Sequence, residues 1–191
     1  DYRGCGKFDA IFIAVPTPPQ TDGSVDLSFI EKVAREIAGA MTSYKIVVDK
    51  STVPVKTGDK VAETIKRYCK ARGDFDVVSN PEFLREGSAI VDFLYPDRIV
   101  IGGDTPRSIA VVRSIYRPLE EGSYYADLSD IPPPPSFTGK VQIIETSTAS
   151  AELIKHASNA FLATKISYVN TLACLAEAVG ADIDEVCAGM G

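Results

Sequence analysis

Asp76-Val77-Val78-Ser79-Asn80-Pro81-Glu82-Phe83-Leu84-Arg85-Glu86-Gly87 decides how this chain is read. Its first four residues form a short apolar strand. Asn80-Pro81 then opens a turn, because proline forces the residue before it out of helical geometry. Glu82 and Glu86 therefore stand at a strand exit, where α/β folds gather their chemistry. From spacing alone the two carboxylates fit a polar loop or one wall of a pocket. If both face one pocket, their mutual repulsion makes one of them a usable proton donor or acceptor.

Working outward, the same pattern of apolar strand followed by an unusual loop appears twice more. Asp9 to Val15 is a continuous apolar run, as expected of a strand covered on both faces, and Pro16-Thr17-Pro18-Pro19 stops it. Lys45 to Asp49 is a second such strand, ending at Ser51-Thr52-Val53-Pro54. Between them, Asp26 is placed to cap a helix over 27–41, with Phe29, Ile30, Val33, Ile37 and Met41 as its apolar stripe. A further helix is expected over 58–71, and a fourth strand over 98–101, closed by Gly102-Gly103. Thr105-Pro106 starts another helix, with a capping hydroxyl and a proline at the first helical position.

Strands alternating with helices predict βαβ units: an α/β fold with a parallel, Rossmann-like sheet. In such sheets ligands bind outside the carboxyl ends of the strands, so the loops at 15–18, 51–54 and 80–87 are expected on one rim. The pattern dissolves from Leu119 to Lys140, where Pro132 to Pro135 reads as an extended surface insertion. A last strand is expected over 141–144. From Thr148 to Val179 the chain then reads as one helix, ~48 Å long at 1.5 Å per residue, with Gly180 as its C-terminal cap. Asp182-Ile183-Asp184-Glu185 opens a further helix. The expected division is 1–145 for the sheet domain and 146–191 for the helical connector.

Composition narrows the function. The 191 residues carry a formal net charge of −6, with 45% hydrophobic and 24% charged residues. That balance offers no basic stripe for nucleic acid. No apolar run is long enough to span a bilayer, and the first residues lack the apolar core of a signal peptide. Cys5, Cys69, Cys174 and Cys187 are scattered and His156 is the single histidine, so no metal site is expected and the location is expected to be cytoplasmic. His156 points roughly 100° away from Lys155 around the helix and reads as a packed or surface side chain.

Lys155 and Asn159 share one face of the long helix. They fit a solvated face as well as a cleft, where an ammonium beside an amide stabilises a developing alkoxide. Thr52 fits a turn residue as well as a rim hydroxyl. Gly4-Cys5-Gly6 lacks the third glycine of a dinucleotide fingerprint and precedes a strand where it should follow one. The residues by themselves reach a cleft with carboxylates, a hydroxyl, a lysine and an asparagine, and no cofactor.

Five stretches together resemble the UDP-glucose/GDP-mannose dehydrogenase family. They are Ala14-Val15-Pro16-Thr17-Pro18, Lys50 to Val55, Asn80 to Ala89, Tyr95 to Gly102, and Glu152-Leu153-Ile154-Lys155 through Asn159 to Ala163. Pro96-Asp97-Arg98-Ile99-Val100-Ile101-Gly102 suits the UDP-glucose branch better than the GDP-mannose branch. The resemblance implies an NAD-dependent oxidation of a nucleotide sugar's primary alcohol to a carboxylate in two hydride transfers. It implies that Val15, Pro16, Thr17, Pro18, Ser51 and Thr52 line the cofactor site and that Glu86 approaches the nicotinamide. Glu82, Phe83, Leu84, Arg85 and Glu86, with Lys155 and Asn159, would hold the UDP-sugar. Thr52 and Glu82 would position water or shuttle a proton, and Lys155 with Asn159 would stabilise the oxygen anion. The long helix would join two nucleotide domains and pack in a homodimer.

The family's Gly-rich turn is expected before Asp1, and its nucleophilic Gly-Gly-x-Cys segment and second nucleotide domain beyond Gly191. The sheet is thus expected to be incomplete. Two other readings compete: a 3-hydroxyacid dehydrogenase, which also carries Lys-x-x-x-Asn but lacks the 80–86 stretch, and a non-catalytic dimerising module.

Overall fold

The computed structural model describes residues 2–69, 74–127 and 130–191. Five strands form one sheet in chain order: β1 (Ala10–Ile13), β2 (Lys45–Asp49), β3 (Phe75–Ser79), β4 (Arg98–Gly103) and β5 (Gln142–Thr146). Among the described residues six α-helices accompany them: α1 (Ser28–Ala40), α2 (Thr57–Tyr68), α3 (Ala89–Leu94), α4 (Pro106–Glu120), α5 (Thr148–Val179) and α6 (Ile183–Met190).

β1, β2 and β3 are parallel and in step, with Ile13 beside Asp49 and Asp49 beside Ser79. The three loops that follow these strands therefore leave from one rim, as the sequence predicts. Helices α1 and α2 cover one face of this half-sheet. Their Ile30, Ala34, Ile37, Val61 and Ile65 pack with Ile13 and Val47 in one core. Ile46, Val48 and Val78 point to the opposite face and meet Ile99, Ile101 and Val112 in a second core. Each such buried aliphatic side chain stabilises the fold by about 1.5–3 kcal/mol relative to exposure. Sidedness follows from the alternation of strand side chains, so a continuous apolar strand such as β2 feeds both cores.

The fourth strand departs from the all-parallel expectation. β4 runs antiparallel to β3, pairing Val78 with Gly103 and Ser79 with Gly102, while β5 is parallel to β4. The connection explains the reversal. Asn80 to Gly87 is spent in a turn at the rim, and the six residues of α3 rise only about 9 Å. A five-residue strand spans about 17 Å. With its one short helix the connection stays at the rim, and the chain re-enters the sheet from the end it has just left. Consequently Arg98, the first residue of β4, stands above the 80–87 turn.

Local signals placed most helix ends. Thr105 Oγ1 accepts the N–H of Ser108 with Pro106 at the first position of α4. Asp182 accepts the N–H groups of Asp184 and Glu185 at the start of α6, and Gly180 closes α5 at φ 74°. α1 starts one residue later than expected, because Asp26 accepts the Ser28 N–H and Leu27 becomes the cap. The expected end of α2 at Ala71 lies outside the described residues. Short α3 was not foreseen.

The chain divides into two compact units, Asp1–Lys155 and His156–Gly191. The second consists of the remainder of α5 and α6, with large apolar side chains in the open: Phe161, Leu162, Ile166, Leu175 and Val179. No helix among the described residues is long and apolar enough to cross a membrane.

Candidate active site

The rim over β1 to β3 is tied together by its own loops. Asp49 ends β2 and accepts the Ser51 N–H at 3.0 Å. Ser51 Oγ accepts the Val15 N–H at 3.0 Å, and Thr17 Oγ1 donates to the Thr52 carbonyl at 2.9 Å. The loops after β1 and β2 are thus held as one wall, on which Pro16 and Pro18 remain exposed.

Buried Asn80 anchors the third loop. Its Nδ2 donates to the Val100 carbonyl on β4 at 2.7 Å, and its Oδ1 accepts the Tyr116 hydroxyl from α4. Lys50 Nζ reaches the Asn80 carbonyl at 3.5 Å and Oδ1 at 3.4 Å. Glu82 follows. Its Oε2 accepts the Leu84 N–H at 2.6 Å, bracing the turn, which leaves Oε1 for tertiary partners. Thr52 Oγ1 approaches Oε1 at 3.5 Å and Lys155 Nζ at 3.1 Å. Lys155 is buried at 5% exposure, so its ion pair is little screened by solvent. Two cations approach the Phe83 ring, Arg98 at 4.1 Å and Lys155 at 5.4 Å from its centre.

Two glycines let α5 come close enough for this. A Cβ on Gly102 would stand 2.4 Å from the Ala151 Cβ and 2.7 Å from the Ser147 carbonyl oxygen. One on Gly58 would stand 2.6 Å from Thr148 Cγ2. Between these contacts, Glu152 receives the Lys56 N–H at 2.6 Å and the Gly58 N–H at 2.8 Å. It thereby supplies the N-terminus of α2 with the capping acceptor that its N-cap residue Lys56 does not provide. Lys56 adopts φ 73° there, a left-handed conformation held by the short bond from its N–H to Glu152. Lys155 lies three residues after Glu152 on the same side of α5, and so meets Glu82.

Burial shifts two neighbouring groups. Asp49, 2% exposed, has its carboxyl pushed up to about 7, by burial first and by the Glu152 charge as well, against the opposing Ser51 hydrogen bond. Its Oδ2 is buried without a hydrogen-bond partner. Half-buried Lys50 is pushed below the usual lysine range by burial and by Lys155, with Glu82 acting in the opposite sense.

The structure thus brings Thr52, Glu82, Phe83 and Lys155 together, with Val15, Thr17 and Ser51 forming the adjoining wall. The pairing of Glu82 with Glu86 does not occur. Glu86 is exposed and, among the described residues, makes no hydrogen bond or ion pair; Gly87 follows it at φ 83°. Arg85, also exposed, forks onto Asp92 of α3 at 2.6 and 3.1 Å. The Arg85 hydrogen bond holds the Asp92 carboxyl down at about 2. Leu84 is partly exposed beside them, and Asn159 stands one turn beyond Lys155 on α5, exposed, in the second unit. Lys50, Asp49, Asn80 and Glu152 were missed as site residues. The first, third and fourth lie in the family-like stretches, but nothing in spacing assigned them partners. Two open hollows lie elsewhere, along α5 from Ala163 to Cys174 and beside Gly87–Val91 with Ile131. Among the described residues no group of three or more His, Cys, Asp or Glu could hold a metal ion.

The sequence matches the NAD binding domain of the UDP-glucose/GDP-mannose dehydrogenase family over residues 1–120 and that family's central domain over 149–191. It is 42% identical to UDP-glucose 6-dehydrogenase TuaD of Bacillus subtilis over 183 residues, which is 96% of this chain and 35% of that protein. It is 46% identical to UDP-glucose 6-dehydrogenase of Rhizobium meliloti over 186 residues, 96% of this chain and 38% of the relative. Among solved structures, a UDP-glucose dehydrogenase from the hyperthermophilic archaeon Pyrobaculum islandicum superposes with a TM-score of 0.84 at 37% identity, covering 100% of this chain and 40% of its own. A ternary complex of GDP-mannose dehydrogenase from Pseudomonas aeruginosa gives 0.82 at 32% identity, covering 98% and 40%. The chain spans less than half the length of each of these relatives.

Proposed function

The chain belongs to the UDP-glucose/GDP-mannose dehydrogenase family, and from that premise we propose that it carries the cofactor-side rim and catalytic lysine of an NAD-dependent dehydrogenase. The enzyme oxidises the C6 alcohol of UDP-glucose to UDP-glucuronate in two hydride transfers. The observation that carries this reading is the buried Lys155 paired at 3.1 Å with Glu82, whose same oxygen faces the Thr52 hydroxyl. The named relatives favour UDP-glucose over GDP-mannose as the sugar nucleotide.

The wall fits a dinucleotide. Ser51 and Thr17 spend their hydroxyls on holding the two loops, so the exposed Pro16 and Pro18 present an apolar surface for a planar ring beyond the strand ends. Val15, Pro16, Thr17, Pro18, Ser51 and Thr52 would hold NAD there, with Glu86 toward the nicotinamide end. NAD supplies the hydride acceptor. Phe83 to Glu86 bind the sugar nucleotide, partly through backbone groups. Lys155 Nζ, with Asn159, stabilises the oxygen anion that forms as the alcohol loses its proton. Glu82 Oε1, oriented by Thr52, positions the water that enters in the second oxidation or shuttles a proton there. Phe161, Ile166, Leu175 and Val179 support homodimerisation through α5, and cysteines that form no disulfide among the described residues suit a cytoplasmic location.

Calorimetric titration with NAD, UDP-glucose and GDP-mannose tests the reading. Heat with NAD and UDP-glucose is expected. Heat with GDP-mannose alone reassigns the sugar, and heat with none beside a stable dimer favours a dimerising module.

A further inference from the structure

Lys50 has no role in the reaction described above, yet its position beside the working pair is specific. It lies between Asp49 and Ser51, the residue that fixes the cofactor wall, and its own N–H bonds to the Ile13 carbonyl at 2.9 Å. With its backbone held this way, the ammonium points to the start of the third loop, 3.4 Å from Asn80 Oδ1 and 3.5 Å from the Asn80 carbonyl. Among the described residues no carboxylate lies within ion-pair distance of it. A half-buried ammonium satisfied only by carbonyl oxygens is an uncommon arrangement, because neutral acceptors offset less of its desolvation than a carboxylate does.

The charged and titratable groups around it come from four elements. Asp49 precedes it on β2, and Glu82 lies two residues beyond Asn80 on the turn. Lys155 and Glu152 approach from α5, and Tyr116 of α4 shares Asn80 Oδ1. Glu152 accepts the Lys56 and Gly58 N–H groups at the start of α2, while Asp49 accepts the Ser51 N–H on one oxygen and holds the other buried without a hydrogen bond. Of these acidic groups, Glu82 is the one that pairs with Lys155 and also acts electrostatically on Lys50.

We propose that Lys50 is a positioning residue for the Glu82–Lys155 pair: it pins the Asn80 end of the turn and presents Glu82 with a second positive charge. This rests on reading Glu82 and Lys155 as the working groups. The consequence is chemical. A carboxylate held by Lys155 alone would tie up that ammonium. With Lys50 sharing the load, Lys155 can turn its hydrogen bonds to a substrate oxygen without stranding Glu82.

The test reads titration, not turnover, in the full chain labelled with ¹³C at lysine Cε and ¹⁵N at the amides. In Glu82→Gln the Lys50 midpoint should fall by about half a pH unit or more, since an attracting charge has been removed. The reciprocal arm uses the Leu84 amide, whose N–H bonds to Glu82. In Lys50→Gln its pH-dependent shift should move upward by a similar amount, and Lys50→Arg should restore it. A role confined to packing predicts lower stability for Lys50→Gln with the Leu84 response unmoved. A Lys50 midpoint in Glu82→Gln equal to that of the unmodified chain overturns the proposal, and this arm decides alone if Lys50→Gln does not fold. Absence of nucleotide binding would remove the dehydrogenase reading and leave these titrations as they are, so the two failures are distinguishable.

Discussion

Lys155 Nζ and Glu82 Oε1 meet at 3.1 Å, although one stands two turns into α5 and the other has just left β3. Three features of the fold make that meeting possible. β3 ends at the rim, Gly102 and Gly58 admit the first turns of α5 without a Cβ in the way, and Glu152 fastens those turns to the N-terminus of α2. The ion pair is thus the outcome of backbone packing, and substitutions at either level should reach it.

Under the proposed function, Lys155→Ala in the whole enzyme should lower turnover by roughly 10²–10³-fold and leave substrate affinity within about fivefold, because an ammonium that stabilises an oxyanion helps most in the transition state. Steady-state kinetics with NAD and UDP-glucose separates the two parameters. Weakened binding at unchanged turnover would contradict the assigned role.

Glu82→Gln should spare the first oxidation and slow formation of the acid by roughly 10²-fold. Stopped-flow absorbance would then show a rapid first equivalent of NADH followed by a slow phase. A variant with normal overall turnover removes Glu82 from the mechanism.

Gly102→Ala should cost about 1–3 kcal/mol, as overpacking does, and Gly58→Ala should behave alike because both push on α5. Gly39→Ala is the control. It lies in α1 with nothing within 4 Å of its would-be Cβ, and should be neutral or stabilising by about 0.5–1 kcal/mol. Urea melts of the three variants check the contrast, and equal effects at all three sites would refute it.

Asp49 gives the protein a pH slope of definite sign. Its carboxyl is raised to about 7 in the folded chain from 3.8. Between those values the folded state holds the proton more tightly than the unfolded state, so this group's contribution to stability falls as pH rises through that window and is fully lost above about 7. Asp49→Asn keeps an acceptor for the Ser51 N–H and abolishes the slope. It should therefore be more stable than the unmodified chain at pH near 8 and similar at pH near 4. Urea unfolding at both pH values reads this directly, and identical pH dependence in the two proteins would show that Asp49 does not titrate in that window.

What the sequence settles here is whatever is written in short-range pattern. Continuous apolar runs specified β1 and β2 as strands, although only β2 is covered on both faces while Phe12 of the edge strand β1 stays exposed, and the caps at Thr105, Gly180 and Asp182 marked helix ends, because each involves groups a few residues apart. The parallel alternation also placed three loops on one rim, and the family-like stretches drew attention to Thr52, Glu82 and Lys155. The tertiary structure alone decided the rest. The reversal of β4 goes with a connection that stays at the rim, and it brings Arg98 over Phe83. Whether Glu82 faces Glu86 or Lys155 depends on how closely α5 approaches the sheet, which two distant glycines and one distant carboxylate determine. Hydrogen bonds and ion pairs act within a few ångströms of space, and separation along the chain carries no information about which groups will come that close.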